Sequence, residues 1–215
     1  MDRRRVGIVI PALNESATIA TVVAGVLPYG EAIVVDDGSS DDTGARAAAA
    51  GADVVRHPAN RGYDGALNSG FAQAGKRGLE YVITIDADGQ HDLPTLATFI
   101  RGLDDGADVV VGIRDRRQRL GETVFAMVAQ RRWGIRDPLC GMKAYRIEVW
   151  RERGHFDAYE SIGTELALFA AAVGKRVVQT PVKTRDRADA PRFGRRFAAN
   201  RRIFRALWLA LTNIP

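Results

Sequence analysis

Residues 86–90 read Asp-Ala-Asp-Gly-Gln, and they hold the one Asp-x-Asp in the chain. In extended backbone, residues i, i+2 and i+4 face the same way. Asp86, Asp88 and Gln90 are therefore expected to converge on one point. Two bare carboxylates ~4 Å apart would repel by ~4 kcal/mol at an effective dielectric of 20. A divalent cation removes that conflict. An all-oxygen ligand set favours Mg2+ or Mn2+ over zinc. Mg2+ usually completes its octahedron with water and substrate phosphates. The spacing predicts a metal held against a diphosphate.

A second acidic pair, Asp36-Asp37, closes the run Val34-Val-Asp-Asp-Gly-Ser39. A turn does not need two adjacent carboxylates. A carboxylate there can accept a hydrogen bond from a base N–H or a ribose hydroxyl. Asp41-Asp42 opens a helical stretch, where capping and the macrodipole account for it. Asn14 and Ser16 are expected to cap the helix that follows the first strand, and Pro11 to stop sheet pairing. His57, His91 and His155 form no spaced ligand set. Cys140 is the only cysteine and reads as a packed thiol. The glycine-rich stretch 60–70 lacks the Lys-Ser/Thr ending of a Walker loop.

These side chains need elements to place them. Val6–Ile10, Ala32–Val35, Asp53–Val55, Tyr81–Ile85 and Asp108–Gly112 read as short buried strands. Helical patterns lie between them at Ser16–Leu27, Thr43–Ala50, Tyr63–Lys76 and Leu93–Leu103. Such alternation predicts an α/β fold with a mostly parallel central sheet flanked by helices. Ligands of such sheets lie beyond the carboxyl ends of the strands, where both acidic motifs stand. After Gly112 the pattern changes. Ile113–Gly121 reads as a polar loop, Glu122–Arg132 as a helix and Met142–Arg146 as a strand. Thr164–Val173 reads as a buried helix, Arg176–Gln179 as a strand and Arg185–Arg196 as irregular.

Residues 197–211 form a helical pattern. Phe197, Asn200, Ile203, Phe204, Leu207, Trp208 and Leu211 fall on one arc, with Arg201, Arg202 and Arg205 opposite. That arc can pack on the core, lie on an anionic membrane surface or join a partner chain.

The chain has 215 residues, 46% hydrophobic and 27% charged, which excludes bulk disorder. A single cysteine excludes a disulfide scaffold. No apolar run approaches the ~18 residues of a membrane span. A lone thiol and no recognisable leader give the expectation of a cytoplasmic protein, with the inner face of a membrane as a further place for it. Charge is uneven. Residues 1–110 carry 9 basic and 16 acidic side chains, whereas 111–215 carry 22 and 10. An acidic half suits a cation, and a basic half suits phosphate or an anionic surface. No nucleic-acid recognition motif is evident, so no nucleic-acid partner is expected.

Four motifs in order, Pro11-Ala-Leu-Asn-Glu15, Val35-Asp-Asp-Gly-Ser39, Asn60-Arg-Gly and Asp86-Ala-Asp88, resemble the family 2 glycosyltransferases of GT-A fold. Asp86-x-Asp-x-Gln90 and Asp137-Pro-Leu-Cys-Gly-Met-Lys-Ala-Tyr-Arg146 look like the polyprenyl-phosphate sugar synthases within it. The likeness covers residues 5–187. It implies one GT-A domain over 1–194, with a Rossmann-like nucleotide-sugar half (1–112) and an acceptor half (113–194). Residues 195–215 would be a basic amphipathic helix.

The resemblance also implies roles. Pro11, Ala12, Leu13, Glu15, Val35 and Asp37 would meet the nucleoside of a nucleoside-diphosphate-sugar donor. Asp86, Asp88 and Gln90 would hold Mg2+ or Mn2+ on its diphosphate, and Ala87 between them would meet the donor. Arg114, Arg185 and Arg187 would meet phosphate. Asp137 would stand by the reacting centre with Asp88, as the base if the acceptor is a hydroxyl, with Glu165 in reserve.

The family's pattern departs at Leu13, where an aromatic is usual. The span 114–137 is short, and Arg187-Ala-Asp-Ala-Pro-Arg192 stands in for the basic motif. The acceptor is left as polyprenyl phosphate or a glycan hydroxyl, with inversion at the anomeric carbon. A sugar-nucleotide nucleotidyltransferase and a basic nucleic-acid-binding module are the competing readings.

Overall fold

The computed structural model describes residues 5–89, 92–115, 119–183 and 196–215. Among these residues, seven strands are joined into one sheet. They are β1 (Val6–Ala12), β2 (Glu31–Asp36), β3 (Asp53–Arg56), β4 (Tyr81–Thr84), β5 (Val109–Arg114), β6 (Lys143–Arg146) and β7 (Val177–Val182). Their spatial order is β3-β2-β1-β4-β6-β5-β7. All neighbours run parallel except β6, which is antiparallel to β4 and β5. The expected α/β class and mostly parallel sheet are present.

Helices α1 (Ile19–Val26), α2 (Thr43–Ala49) and α4 (Thr95–Asp104) follow β1, β2 and β4, and α3 (Gly62–Lys76) follows β3. The first-half strands are apolar on both faces because both faces are covered. One core joins Val22 and Val26 of α1 to Phe99 and Leu103 of α4 across Ile8 and Ile83. The other joins Leu67 and Phe71 of α3 to Phe125, Tyr145 and Leu166. Strand order reverses between β1 and β4. Ligands of such sheets lie at the carboxyl ends beside that switch, where β1 runs on into residues 13–16 and β4 into residues 86–89.

Several details differ from the sequence reading. Pro11 does not end β1 on both sides. Pro11 and Ala12 still pair with Val35 and Asp36 of β2, while pairing with β4 reaches only Val9. A proline removes one donor, and only the neighbour on that side loses it. Ile113 and Arg114 belong to β5, not to a loop, because β7 pairs with them through Pro181 and Val182. Helix α5 (Leu120–Trp133) starts two residues early and ends at Gly134, φ 71°. An unread helix, α6 (Ile147–Arg153), ends at Gly154, φ 85°. Its seven residues are too few to show a helical period. Helix α7 (Glu165–Ala172) is buried as expected.

Helix α8 (Arg196–Asn213) corrects the expected apolar arc. Ile203 and Leu207 are buried with Ala199, Ala206, Ala210 and Ile214, whereas Phe204, Trp208 and Leu211 face solvent. The small residues Ala199, Ala206 and Ala210 widen the inner face, so the arc of large side chains divides. The side chain of Phe197 lies outside the described residues. Among the described residues no helix is long and apolar enough to cross a membrane.

Candidate functional site

The loop after β1 is tied to the loop after β2. Asn14, in the left-handed region at φ 53°, accepts from Ser40 N at 2.9 Å and donates its own N–H to Ser39 Oγ at 2.9 Å. Glu15 N donates to Thr43 Oγ1 at 2.8 Å, and Ser16 N to Asp41 Oδ2 at 3.2 Å. Neither Asn14 nor Ser16 caps α1, which has no side-chain cap. Their polar atoms are spent between loops instead. Asp41 also bonds the Thr43 hydroxyl and amide. Chiefly that hydroxyl holds the Asp41 carboxyl down at about 2. Asp42, at the cap position of α2, makes no side-chain cap bond. Ala12, Val35 and Ala87 have side chains buried in the core, so only their backbone can meet a ligand.

Asp37 is buried and organises the turn before α3. Its Oδ1 accepts from Arg61 N at 2.9 Å and lies 2.6 Å from His57 Nδ1. Oδ2 accepts from Gly62 N at 2.9 Å. His57 Nε2 reaches Ser69 Oγ at 2.9 Å. A carboxylate offers about four lone-pair sites, so Oδ2 keeps capacity for a ligand donor. The His57 partnership was not legible beforehand, since twenty residues separate the two.

Asp86 follows β4 and is half-buried. Tyr63 of α3 donates to its Oδ1 at 3.2 Å. A methyl group on Gly141 would stand 2.5 Å from its Oδ2. Gly141 is itself held by its carbonyl, 2.7 Å from Thr84 Oγ1. The carboxylate is thus wedged between α3 and the turn after Cys140. Lys143, buried beneath that turn, donates to Cys140 O at 2.6 Å and Gly163 O at 2.9 Å. Burial lowers the pKa of its ammonium, while Cys140, Asp137 and Asp86 act to raise it. Lys143 therefore joins the Asp86 region to that of Asp137. Burial also raises the Tyr63 hydroxyl well above its usual range, and the charge on Asp86 adds to this. Tyr63 thus stays a donor at neutral pH. Tyr63 and Lys143 were missed in the sequence. The one lay in the glycine-rich stretch 60–70, and the other was a lone lysine inside an apolar strand.

Asp88 is half-buried and precedes Gly89, which turns the chain at φ 71°. A cleft beside Asp86 and Gly89 is walled by Val22 of α1 and Leu93. Gln90 and His91 lie outside the described residues, as do Arg185 and Arg187. No group of three His, Cys, Asp or Glu side chains is set as a cation site among the described residues. Asp86 and Asp88 still supply what Mg2+ or Mn2+ asks of a protein, one or two carboxylates beside open space, so the oxygen donors fit.

Arg114, at the end of β5, is locked onto Asp137. Nε lies 2.8 Å from Oδ2 and Nη2 2.9 Å from Oδ1. Arg114 N also donates to Oδ2 at 3.0 Å. Glu122 stands 3.4 Å from Arg114 Nη2 and 3.1 Å from Arg119 Nη1. Burial pushes the Asp137 carboxyl up, but the hydrogen bonds and charge of Arg114 outweigh it, and the net shift is downward. Cys140 is buried, and burial followed by the Asp137 charge raises its thiol to about 11. It is a packed thiol, as read. Glu165 is fully buried. Its Oε1 accepts from Arg153 Nη2 at 2.7 Å and lies 2.7 Å from His155 Nε2. Its Oε2 accepts from Ala158 N at 2.7 Å. A base must reach its proton, and this carboxylate is committed to the α6–α7 connection. Its reserve role is withdrawn.

That connection is strained. Glu160 and Ile162 adopt φ of 56° and 59°, costly for non-glycine residues. Asp157 accepts from Tyr159, Glu160 and Ser161 N, and Asp64 of α3 accepts from Ile162 and Gly163 N. Burial, then the Asp157 charge, raises the Asp64 carboxyl to about 7. The folded chain therefore keeps a proton that the unfolded chain releases near the usual value of 3.8. The contribution of Asp64 to stability falls as pH rises from about 4 to about 7, by on the order of 3 kcal/mol. Thermal melts should show Asp64→Asn narrowing the difference between the melting temperatures at pH 5 and pH 8. An unchanged difference would remove Asp64 as its source.

A mostly parallel sheet with acidic motifs at its switch point is where nucleotide-binding α/β proteins hold their ligands. The model of the family "Glycosyl transferase family 2" matches residues 7–154, and the chain belongs to that family. An uncharacterized glycosyltransferase of Mycobacterium tuberculosis is 34% identical over 187 residues, which is 82% of this chain and 84% of the relative. The polyprenol monophosphomannose synthase of Mycolicibacterium smegmatis is 31% identical over 213 residues, 86% of this chain and 78% of the relative. Among solved structures, glucosyl-3-phosphoglycerate synthase from Mycobacterium tuberculosis, in complex with Mn2+ and uridine-diphosphate-glucose, superposes with a TM-score of 0.78. The two are 26% identical, and the match covers 99% of this chain and 80% of that one. Family membership replaces the nucleotidyltransferase and nucleic-acid readings.

Proposed function

We propose that the chain transfers a sugar from a nucleoside-diphosphate sugar to a polyprenyl phosphate, with inversion and with the help of a divalent cation. The observation that carries the choice of acceptor is the Arg114–Asp137 pair. A hydroxyl acceptor needs a base, and Asp137 has both oxygens on Arg114 and a lowered pKa. A phosphate acceptor arrives already ionised and needs none. The M. smegmatis relative, named for a polyprenol acceptor, supports the same reading.

In this reading the 13–16 loop and Asp37 seat the nucleoside, with Asp37 Oδ2 accepting a donor hydrogen bond. Asp86 and Asp88, with Gln90, would hold Mg2+ or Mn2+, which when bound would neutralise charge on the diphosphate as a Lewis acid. Tyr63 and Gly141 keep Asp86 from turning away. Arg114, with Arg185 and Arg187 from the basic half, meets phosphate. Asp137 fixes the Arg114 guanidinium, and such preorganised charge costs no rearrangement as the leaving oxygen becomes anionic. One acceptor oxygen bonds to the anomeric carbon while the bond to the nucleoside diphosphate breaks.

Radiolabelled UDP- and GDP-hexoses offered with Mn2+ and either a polyprenyl phosphate or a free glycan test this. Label should enter an organic-phase, mild-acid-labile product with the polyprenyl phosphate. Transfer to the glycan alone would overturn the choice of acceptor.

A further inference from the structure

We infer that the outward faces of α5 and α8 together form a docking surface for an anionic lipid bilayer. The two helices lie side by side and run the same way. At one end Gly121 N donates to Asn200 Oδ1 at 3.3 Å. At the other Trp133 Nε1 donates to Pro215 O at 3.1 Å. Their inner faces share one core through Phe125, Ala129, Ile203 and Leu207. Their outer faces carry large apolar side chains among arginines. Leu120 is 72% exposed and Trp208 63%, with Met127, Phe204 and Leu211 also exposed. Leu120 and Met127 are two turns apart on α5. Phe204, Trp208 and Leu211 recur at helical spacing on α8 and form a stripe. Five large apolar side chains on adjoining helices are more than the scattered singles that need no explanation.

Charge selects the occupant. Helix α8 contains no acidic residue, and Arg201, Arg202 and Arg205 are exposed. On α5, Arg131 and Arg132 are exposed, and its one acidic side chain, Glu122, is buried beside Arg114 and Arg119. Glu160, at the border, is paired with Arg205 at 3.4 Å. A face of tryptophan, phenylalanine, leucine and arginine suits the headgroup boundary of an anionic membrane. A second copy would set these arginines against their own kind across a two-fold axis. The surface does not depend on the proposed reaction, because lipid binding needs no donor.

Flotation of the full chain with vesicles of phosphatidylcholine, with and without phosphatidylglycerol, tests this. The chain should float with the anionic vesicles and far less with neutral ones. Phe204→Ser with Trp208→Ser should weaken partition about tenfold and leave nucleoside-diphosphate binding unchanged. Arg201→Gln should weaken only the anionic component. The inference falls if the chain does not float, or if the double variant floats equally well. It also falls if light scattering shows a dimer that the double variant dissolves. Flotation without transfer to polyprenyl phosphate would sink the proposed acceptor and leave this surface standing.

Discussion

Replacing Asp88 by alanine should lower kcat/KM for sugar transfer about a thousandfold, or about 4 kcal/mol of transition-state stabilisation. Excess chelator should do the same to the unaltered chain. The argument rests on position. Asp88 is half-buried in the turn beyond β4, two residues from a carboxylate that Tyr63 and Gly141 hold in place. In the proposed reaction, with Asp86 fixed, Asp88 would be the partner that converts one carboxylate into a cation site. Loss of that ligand would leave the diphosphate charge uncompensated where the leaving group forms. Its place in an open turn makes the stability cost small, so the melting temperature should move by no more than a few degrees. Steady-state kinetics with Mn2+ varied from micromolar to millimolar separates weaker metal binding from lost turnover. Full activity in Asp88→Ala, or in the unaltered chain with chelator, would defeat the metal assignment.

Much of the site was legible because it sits where the fold class puts ligands. Short apolar runs gave β1, β2, β4 and β5, and the residues just past them supplied Asp37 and Asp86. Contacts that tie distant segments together were not legible. Tyr63 meets Asp86 across 23 residues, and Asn14 meets Ser40 across 26. Periodicity registers neither. The antiparallel β6 was read as a strand, but its direction depends on which neighbours it finds. Helix α8 shows the opposite limit. Its apolar period was clear, yet the small residues Ala199, Ala206 and Ala210 took the inner face. Close helix packing favours such side chains and leaves larger ones outside.

The largest loss of stability should come from Glu165→Ala, about 3 kcal/mol, or about 6–12 °C in melting temperature for a chain of this size. Glu165 is fully buried and gathers Arg153, His155 and Ala158 N onto two oxygens. Its removal strands the Arg153 guanidinium and a backbone donor together, and the penalty for unmet partners exceeds the value of any one bond. Arg153 also lies over the Phe169 ring at 4.9 Å, so its displacement disturbs the α7 packing. The same segment leads into the turn with Glu160 and Ile162 in the left-handed region, where strain persists only while its surroundings enforce it. Glu165→Gln keeps the shape and one acceptor oxygen, and should recover about half of the loss. Were Glu165 a base instead, the Gln variant would melt normally and fail to turn over. The packing account requires the reverse, a lower melting temperature with kcat of the folded fraction within about tenfold of the original. Calorimetry and single-turnover assays on one preparation decide between the two.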